Sequence, residues 1–117
     1  MKDRLLKLPE DIYEAEHKLL NLGINVRDAR EDLEREELKL FSGILFAKTP
    51  ENKPKYSNDD SRKIALMEEK STSGDYLGLE NNVKQLEYEK GVAEIASKKL
   101  WAELRCLEAL SRIGGAA

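Results

Sequence analysis

The sequence predicts an all-α fold, an antiparallel helical hairpin of coiled-coil character with a short helix at the turn. Two observations support this prediction. The chain of 117 residues is 37% charged and only 6% aromatic, a composition typical of long helices and coiled coils. Its apolar residues also recur at alternating intervals of three and four positions, which is the heptad spacing of helices that pack side by side. We therefore expect one helical domain over residues 1–117.

A first long helix is expected over about residues 9–45. Pro9 suits a first helical turn because it has no N–H group to leave unpaired, and Glu10 and Asp11 suit the positive end of the helix dipole. The residues that follow at heptad spacing are apolar except for Glu36, and we call these positions the seam of this helix. They are Ile12, Ala15, Leu19, Leu22, Val26, Ala29, Leu33, Glu36 and Leu40.

A loop is expected over residues 46–58, followed by a short helix over about residues 59–70. Pro50 and Pro54 block helix continuation, and Ser57 with Asp60 three positions later approximates a capping box. The small and polar residues 71–75 follow. The sequence leaves open whether residues 59–113 form one kinked helix or two helices.

A last long helix is expected over about residues 75–113, and it carries two apolar stripes. The first contains Leu79, Val83, Leu86, Ala93, Leu100, Leu104 and Leu107. The second contains Tyr88, Val92, Ile95, Ala102, Cys106, Leu110 and Ile113. One antiparallel partner covers a single stripe, so we expect the hairpin to form a homo-oligomeric helical bundle, a dimer or a tetramer. Cys106 is expected in the core because it lies on a stripe.

Charge and cysteine content exclude several classes of protein. The net charge of −3 arises from 20 basic and 23 acidic residues, so the chain lacks the overall basic field of many nucleic-acid-binding proteins. A single cysteine excludes an intrachain disulfide and suits a reducing compartment. The sequence contains no apolar run long enough to cross a membrane. We expect a cytoplasmic protein without membrane contact.

Catalytic residues, metal ligands and cofactors are not expected, and the protein is predicted not to be an enzyme. The sequence contains no glycine-rich phosphate loop and no zinc-ligand spacing. Glu14 and His17 form half of a Glu-x-x-His pattern, and a symmetric dimer would supply a second copy. A metal-dependent enzyme built on this pair remains the least favoured alternative.

Basic residues around a tyrosine mark the loop as a candidate nucleic-acid-binding site. Cations interleaved with an aromatic ring are typical of single-strand binding, in which phosphates meet the cations and bases stack on the ring. The candidate residues are Lys53, Lys55, Tyr56, Arg62 and Lys63. The alternative is a structural corner, in which Asn58 caps the short helix and Arg62 pairs with a carboxylate.

Trp101 is a candidate partner-binding residue, because tryptophan is enriched at protein-binding hot spots. It lies between the two stripes of the last helix. A tryptophan that fills the seam of a bundle is the alternative.

The second half of the chain also resembles a family. Residues 56–66 (YSNDDSRKIAL), with Asp75-Tyr76, Leu79-Glu80, Glu94-Ile95 and residues 104–107 (LRCL), are similar to a group of uncharacterised small helical proteins of phages and prophages. These proteins are encoded near single-strand annealing and recombination genes. The resemblance implies a non-enzymatic accessory protein for DNA replication or recombination, with single-stranded DNA or a recombination protein as partner. The alternative function is a coiled-coil adaptor or small inhibitor that binds a host or phage protein.

Overall fold

The helices of the computed structural model, which describes residues 2–116, form the predicted antiparallel helical hairpin. Helix α1 spans Lys2–Leu45, helix α2 spans Asp59–Thr72 and helix α3 spans Gly74–Ala116. Two long helices with a short helix between them are therefore confirmed. The open question about residues 59–113 is also answered, because this segment forms two helices.

The seam lies at the contact between the two long helices, as predicted. Every seam position of α1 is buried or half-buried, and so is every residue of the first stripe of α3. Val26 of α1 and Val83 of α3 are among the buried residues. The interval of three and four positions places one face of each helix against its neighbour, and removal of that face from water is the main stabilising contribution.

The start of α1 was predicted incorrectly, because the helix begins at Lys2 and Pro9 lies inside it. Leu5 and Leu8 extend the heptad spacing toward the N-terminus, and Leu8 is fully buried. A proline inside a helix removes one backbone hydrogen bond and costs about 3 kcal/mol. Burial of Leu8 offsets part of this cost. The structure likewise extends α2 to Thr72 and α3 from Gly74 to Ala116, beyond the predicted bounds.

The chain forms two compact units, and the first combines the residues up to Asn25 with those from Leu86 onward. In this unit the start of α1 lies against the end of α3. The Arg4 guanidinium donates from Nε to Glu103 Oε1 at 2.6 Å and from Nη2 to Oε2 at 2.9 Å, and Nη1 donates to Asp11 at 2.6 Å. The bond from Arg4 lowers the pKa of Glu103. This carboxylate therefore contributes stability at neutral pH that is lost as the pH falls through its lowered pKa.

The second unit contains Val26–Gln85. In this unit Lys70 of α2 connects the two long helices. Its ammonium group contacts Glu37 at 2.8 Å and lies over the ring of Tyr76, 5.4 Å from the ring centroid. The hydrogen bond with Glu37 raises the pKa of Lys70. Lys70 therefore remains charged at neutral pH and orients α2 between its neighbours.

Ser73 forms the junction between α2 and α3. Its extended backbone ends α2, and its N–H donates to the Glu69 carbonyl at 2.8 Å. Its hydroxyl oxygen accepts a bond from the Tyr76 N–H at 3.2 Å, as an N-cap residue does. A single residue outside helical geometry thus separates the two helices.

Cys106 was predicted in the core and is exposed instead. The second stripe of α3, to which Cys106 belongs, lies on the side opposite the first stripe, and only the first stripe faces α1. All seven residues of the second stripe are exposed, including Tyr88, Ile95 and Ile113. Among the described residues, no helix has the length and apolar character needed to cross a membrane.

Leu8 and Leu6 provide a matched test of the seam, because Leu8 is 0% exposed and Leu6 is 74% exposed. Leu8→Ala is expected to lower the free energy of unfolding by about 2–5 kcal/mol, since it leaves a cavity at the contact between the helices. Leu6→Ala is expected to change it by less than about 0.5 kcal/mol. Urea denaturation followed by circular dichroism measures both values. Equal effects of the two substitutions would contradict the assigned seam.

Candidate nucleic-acid interface at the connecting loop

The loop between α1 and α2 has a regular backbone over residues 47–55. The Lys55 N–H donates to the Ala47 carbonyl at 3.0 Å, and the Thr49 N–H donates to the Lys53 carbonyl at 2.8 Å. These bonds flank an antiparallel bridge between Lys48 and Pro54. The two residues at this bridge form no hydrogen bonds with each other. Pro54 has no N–H group, and none is needed at this position.

A tight turn closes this segment. The Asn52 N–H donates to the Thr49 carbonyl at 2.9 Å, and Pro50 occupies the second position of the turn, where its restricted φ is favourable. Asn52 has a φ of 61°. Asparagine is among the few residues other than glycine that adopt this left-handed conformation without a large cost. The prolines and Asn52 therefore determine the shape of the loop.

The loop displays its lysines to solvent. Lys48, Lys53 and Lys55 are exposed, as is Lys63 in α2. The backbone bends at residues 53 and 55, on either side of the bridge residue Pro54. Exposed acidic residues Glu51, Asp59 and Asp60 reduce the local positive charge.

Tyr56 is half-buried, and the structure brings it together with Lys55. The Lys55 ammonium lies over the Tyr56 ring at 5.5 Å from its centroid. The ring also borders a groove lined by Leu40, Gly43 and Ile44 of α1. Tyr56 thus packs within the protein, and the cations of the loop are more accessible than the ring.

Asn58 caps α2, and the predicted capping box is displaced by one residue. The Asn58 side-chain oxygen accepts from the Ser61 N–H at 2.8 Å, and the Asn58 N–H donates to the Ser61 hydroxyl at 3.4 Å. The predicted pair, Ser57 with Asp60, was wrong. Asn58 has an extended backbone that directs its side chain at the helix start, and Asn is as good an N-cap residue as Ser.

Arg62 lies in the same first turn of α2. Its Nη1 is 3.4 Å from Asp59 Oδ1, and its Nε atom is buried without a hydrogen-bond partner. This side chain is more enclosed than those of Lys53, Lys55 and Lys63. The structure therefore separates the sequence-predicted site into exposed Lys53, Lys55 and Lys63 and the more enclosed Tyr56 and Arg62.

Trp101 lies far from the loop in sequence, in the first compact unit. Its indole Nε1 donates to Glu16 Oε1 of α1 at 2.9 Å, and the residue is 40% exposed. The tryptophan therefore lies at the edge of the contact between α1 and α3. Its hydrogen bond holds the ring against α1, while part of the ring faces solvent.

His17 is exposed, and its Nδ1 atom is 3.2 Å from the Asn21 amide nitrogen. The His17 ring also lies 6.0 Å from the Tyr13 ring. Among the described side chains, no group of three or more His, Cys, Asp or Glu residues is placed to hold a metal ion. The Glu14 and His17 pair thus has no third protein ligand beside it within the described part of the chain.

An exposed apolar row on α1 was not identified from the sequence. It consists of Leu6, Tyr13 and Leu20, which are 74%, 68% and 63% exposed. Their spacing of seven residues was the available signal. The buried seam of α1 is the stronger pattern and obscures this second row. We call Leu6, Tyr13 and Leu20 the outer row of α1.

Comparisons of the chain with protein-family models, with curated proteins and with solved structures find no match.

Asn58 and Ser57 provide a matched test of the capped corner. Asn58→Ala is expected to lower the free energy of unfolding by about 1 kcal/mol, since it leaves the Ser61 N–H without its acceptor. Asn58→Asp is expected to retain most of the stability, and Ser57→Ala should have little effect. Chemical denaturation of the three variants measures these differences. A larger loss in Ser57→Ala than in Asn58→Ala would show that the cap is assigned to the wrong residue.

Proposed function

We propose that the protein is a non-enzymatic accessory protein of phage-type DNA replication or recombination that binds single-stranded DNA through its connecting loop. The observation that carries this proposal is the exposure of Lys53 and Lys55, two positions apart, in a hydrogen-bonded loop. Both side chains are exposed, and Lys63 of α2 is exposed as well. We call Lys53, Lys55 and Lys63 the loop lysines.

The geometry of the turn suits phosphate contacts. Residues two positions apart have Cα atoms separated by at most roughly 7 Å, so their two ammonium groups can reach successive phosphates of a flexible strand. The bonds at Ala47 and Thr49 hold this spacing before DNA binds. Preorganised cations lose less conformational entropy on binding than cations on a flexible loop.

The contribution of Tyr56 is expected to be secondary. Base stacking needs an accessible ring face, whereas Tyr56 is half-buried and lies under the Lys55 ammonium. The proposed interaction is therefore mainly electrostatic and independent of DNA sequence. It takes place in the cytoplasm, beside the single-strand annealing or recombination proteins that the family resemblance suggests as partners.

Fluorescence anisotropy with labelled single- and double-stranded oligonucleotides tests the proposal. Three phosphate contacts predict that single-strand affinity falls roughly 20-fold between about 50 and 200 mM salt. Reversal of the loop lysines (Lys53→Glu, Lys55→Glu and Lys63→Glu) is expected to abolish binding. Arg62 is left unchanged because its partly enclosed side chain makes it a less selective test of DNA contact.

A matched control reverses three exposed lysines elsewhere, Lys2→Glu, Lys7→Glu and Lys18→Glu, which changes the net charge by the same amount. This control should retain the salt-dependent binding of the wild type. Absence of binding by the wild type at both salt concentrations refutes the DNA-binding function. Equal losses in the two triple variants would show that net charge, and not the loop, determines binding.

A coiled-coil adaptor or small inhibitor of a host or phage protein is the second candidate function. The outer row of α1 favours it, because apolar residues at heptad spacing form a surface for the apolar face of a partner helix. A shallow groove beside Tyr13, lined also by His17, Lys18 and Asn21, widens this surface. Trp101 donates to Glu16, which lies between Tyr13 and Leu20 on the same face of α1, and it remains the candidate anchor.

Substitutions on α1 test the adaptor function. Leu6→Lys with Leu20→Lys should eliminate a specific protein partner that copurifies with the wild-type chain, since it places charges on the apolar row. The control variant Lys7→Ala with Lys18→Ala leaves the row intact and should keep the partner. Quantitative mass spectrometry of the copurified proteins measures retention. If the Leu6→Lys/Leu20→Lys variant and the Trp101→Ala variant both retain the same partner, then neither the outer row of α1 nor Trp101 binds it.

A further inference from the structure

We infer that the outer face of α3 pairs in parallel with the same face of a second copy of this chain. We call this face the α3 stripe, and it consists of the second stripe of α3 without Leu110, which lies beside it: Tyr88, Val92, Ile95, Ala102, Cys106 and Ile113. The inference does not rest on the proposed DNA-binding function, because no residue of the connecting loop contributes to this face.

The α3 stripe is apolar and uncovered. Tyr88, Ile95 and Ile113 are each 69–70% exposed, and Val92 is 51% exposed. Side chains of this size at the surface of a helix normally mark a contact with another molecule when they form a continuous patch. Within the described chain α1 borders only the start of the stripe, where Tyr88 and Val92 line a groove with Lys18 and Leu22.

The spacing of the stripe is that of a coiled coil. Residues 88, 92, 95, 99, 102, 106, 109 and 113 alternate by four and three positions, and all are apolar except Lys99. Two helices with this pattern pack along a common stripe. A single lysine within such a stripe lowers the stability of the pair and selects one register.

The charges beside the stripe determine which partner orientation fits. One flank carries Lys98, Arg105 and Arg112 at intervals of seven residues, and the other carries Glu89 and Glu103. In a parallel pair the basic flank of each copy meets the acidic flank of the other, with Lys98 beside Glu103 of the second copy. Glu103 also accepts from Arg4 of its own chain, so it would lie between two cations. In an antiparallel pair the basic flank of one copy meets the basic flank of the other. The stripe is therefore complementary to itself in the parallel orientation.

The resulting dimer differs from a bundle in which two hairpins share one core. The α3 stripe and the outer row of α1 lie on opposite sides of the hairpin, since each is opposite the seam of its own helix. Two copies joined at the α3 stripe place their four helices side by side, with the two α3 helices in the middle. Two-fold symmetry then sets the Cys106 side chains of the copies opposite each other.

Analytical ultracentrifugation of the full chain and two variants provides the first test. The wild type is expected to be a dimer, and Ile95→Lys a monomer with unchanged helical circular dichroism, because Ile95 does not contribute to the seam. Leu20→Lys is the control, with a similarly exposed apolar residue on α1, and should remain a dimer. A monomeric wild type, or a dimeric Ile95→Lys variant, overturns the inference.

Two substitutions at Leu110 distinguish the parallel pair from the antiparallel pair, because the two orientations predict opposite orders of dimer affinity. In the parallel pair residue 110 lies beside Arg105 of the second copy, so Leu110→Glu should dimerise roughly tenfold more tightly than Leu110→Lys at low salt. In the antiparallel pair residue 110 meets the flank that carries Glu89 and Glu103, and the order is reversed. The residues three and four positions from 110, namely Cys106, Leu107, Ile113 and Gly114, are uncharged, so the difference does not arise within the helix.

Cys106 reports the register directly. A disulfide needs Cα atoms about 4.4–6.8 Å apart, which the parallel pair provides and a displaced register does not. Diamide takes up the two protons and two electrons released as the sulfur–sulfur bond forms. The oxidised wild type should therefore run as a linked dimer on non-reducing gels, and Cys106→Ser should not. A dimer in solution that diamide fails to link overturns the assigned register.

Discussion

The contact between α1 and α3 along their seams is the interaction on which the rest of the structure depends. Within residues 2–116 neither long helix has another neighbour along most of its length, so each buries one face and leaves the remainder in water. Several of the buried residues of the two long helices are small, among them Ala29 of α1 and Ala93 and Ser97 of α3. Small residues let two helices approach closely but contribute little apolar area. The hairpin is therefore held by many modest contacts, and this explains why so much apolar surface remains available for other molecules.

Polar contacts determine the register of the helices, which the apolar seam alone leaves undetermined. A heptad stripe can shift by one repeat with little change in buried area, whereas a bidentate pair such as Arg4 with Glu103 forms in one register. In the second compact unit, the contact of Lys70 with Glu37 has the same role for α2. Exposed ion pairs add little to the free energy of unfolding. Their value here lies in excluding alternative alignments of the helices.

The sequence predicted the features that repeat and missed those that depend on distant residues. The seam, the two stripes of α3 and the short helix follow from local periodicity and turn chemistry. The early start of α1 does not, because Pro9 is a strong local signal and the pairing of Arg4 with Glu103 spans 99 positions. The capping box was predicted one residue too early because Ser57 and Asn58 are both good cap residues. The extended backbone of Asn58 decides between them. At the loop, composition identified the lysines, but only the structure shows that Tyr56 and Arg62 are more enclosed than Lys53 and Lys55.

The hydrogen-bonded turn between Ala47 and Lys55 has a consequence for the order in which the protein folds. Closing the short segment between these residues restricts far less chain than bringing Arg4 to Glu103, and the difference in loop-closure free energy is about 2 kcal/mol. We therefore expect folding to nucleate near the turn and to proceed along the seam toward the chain ends. The amide hydrogens near the turn would then become protected earliest, and those near Arg4 and Glu103 latest. A protein built in this way acquires its connecting loop before it acquires most of its core.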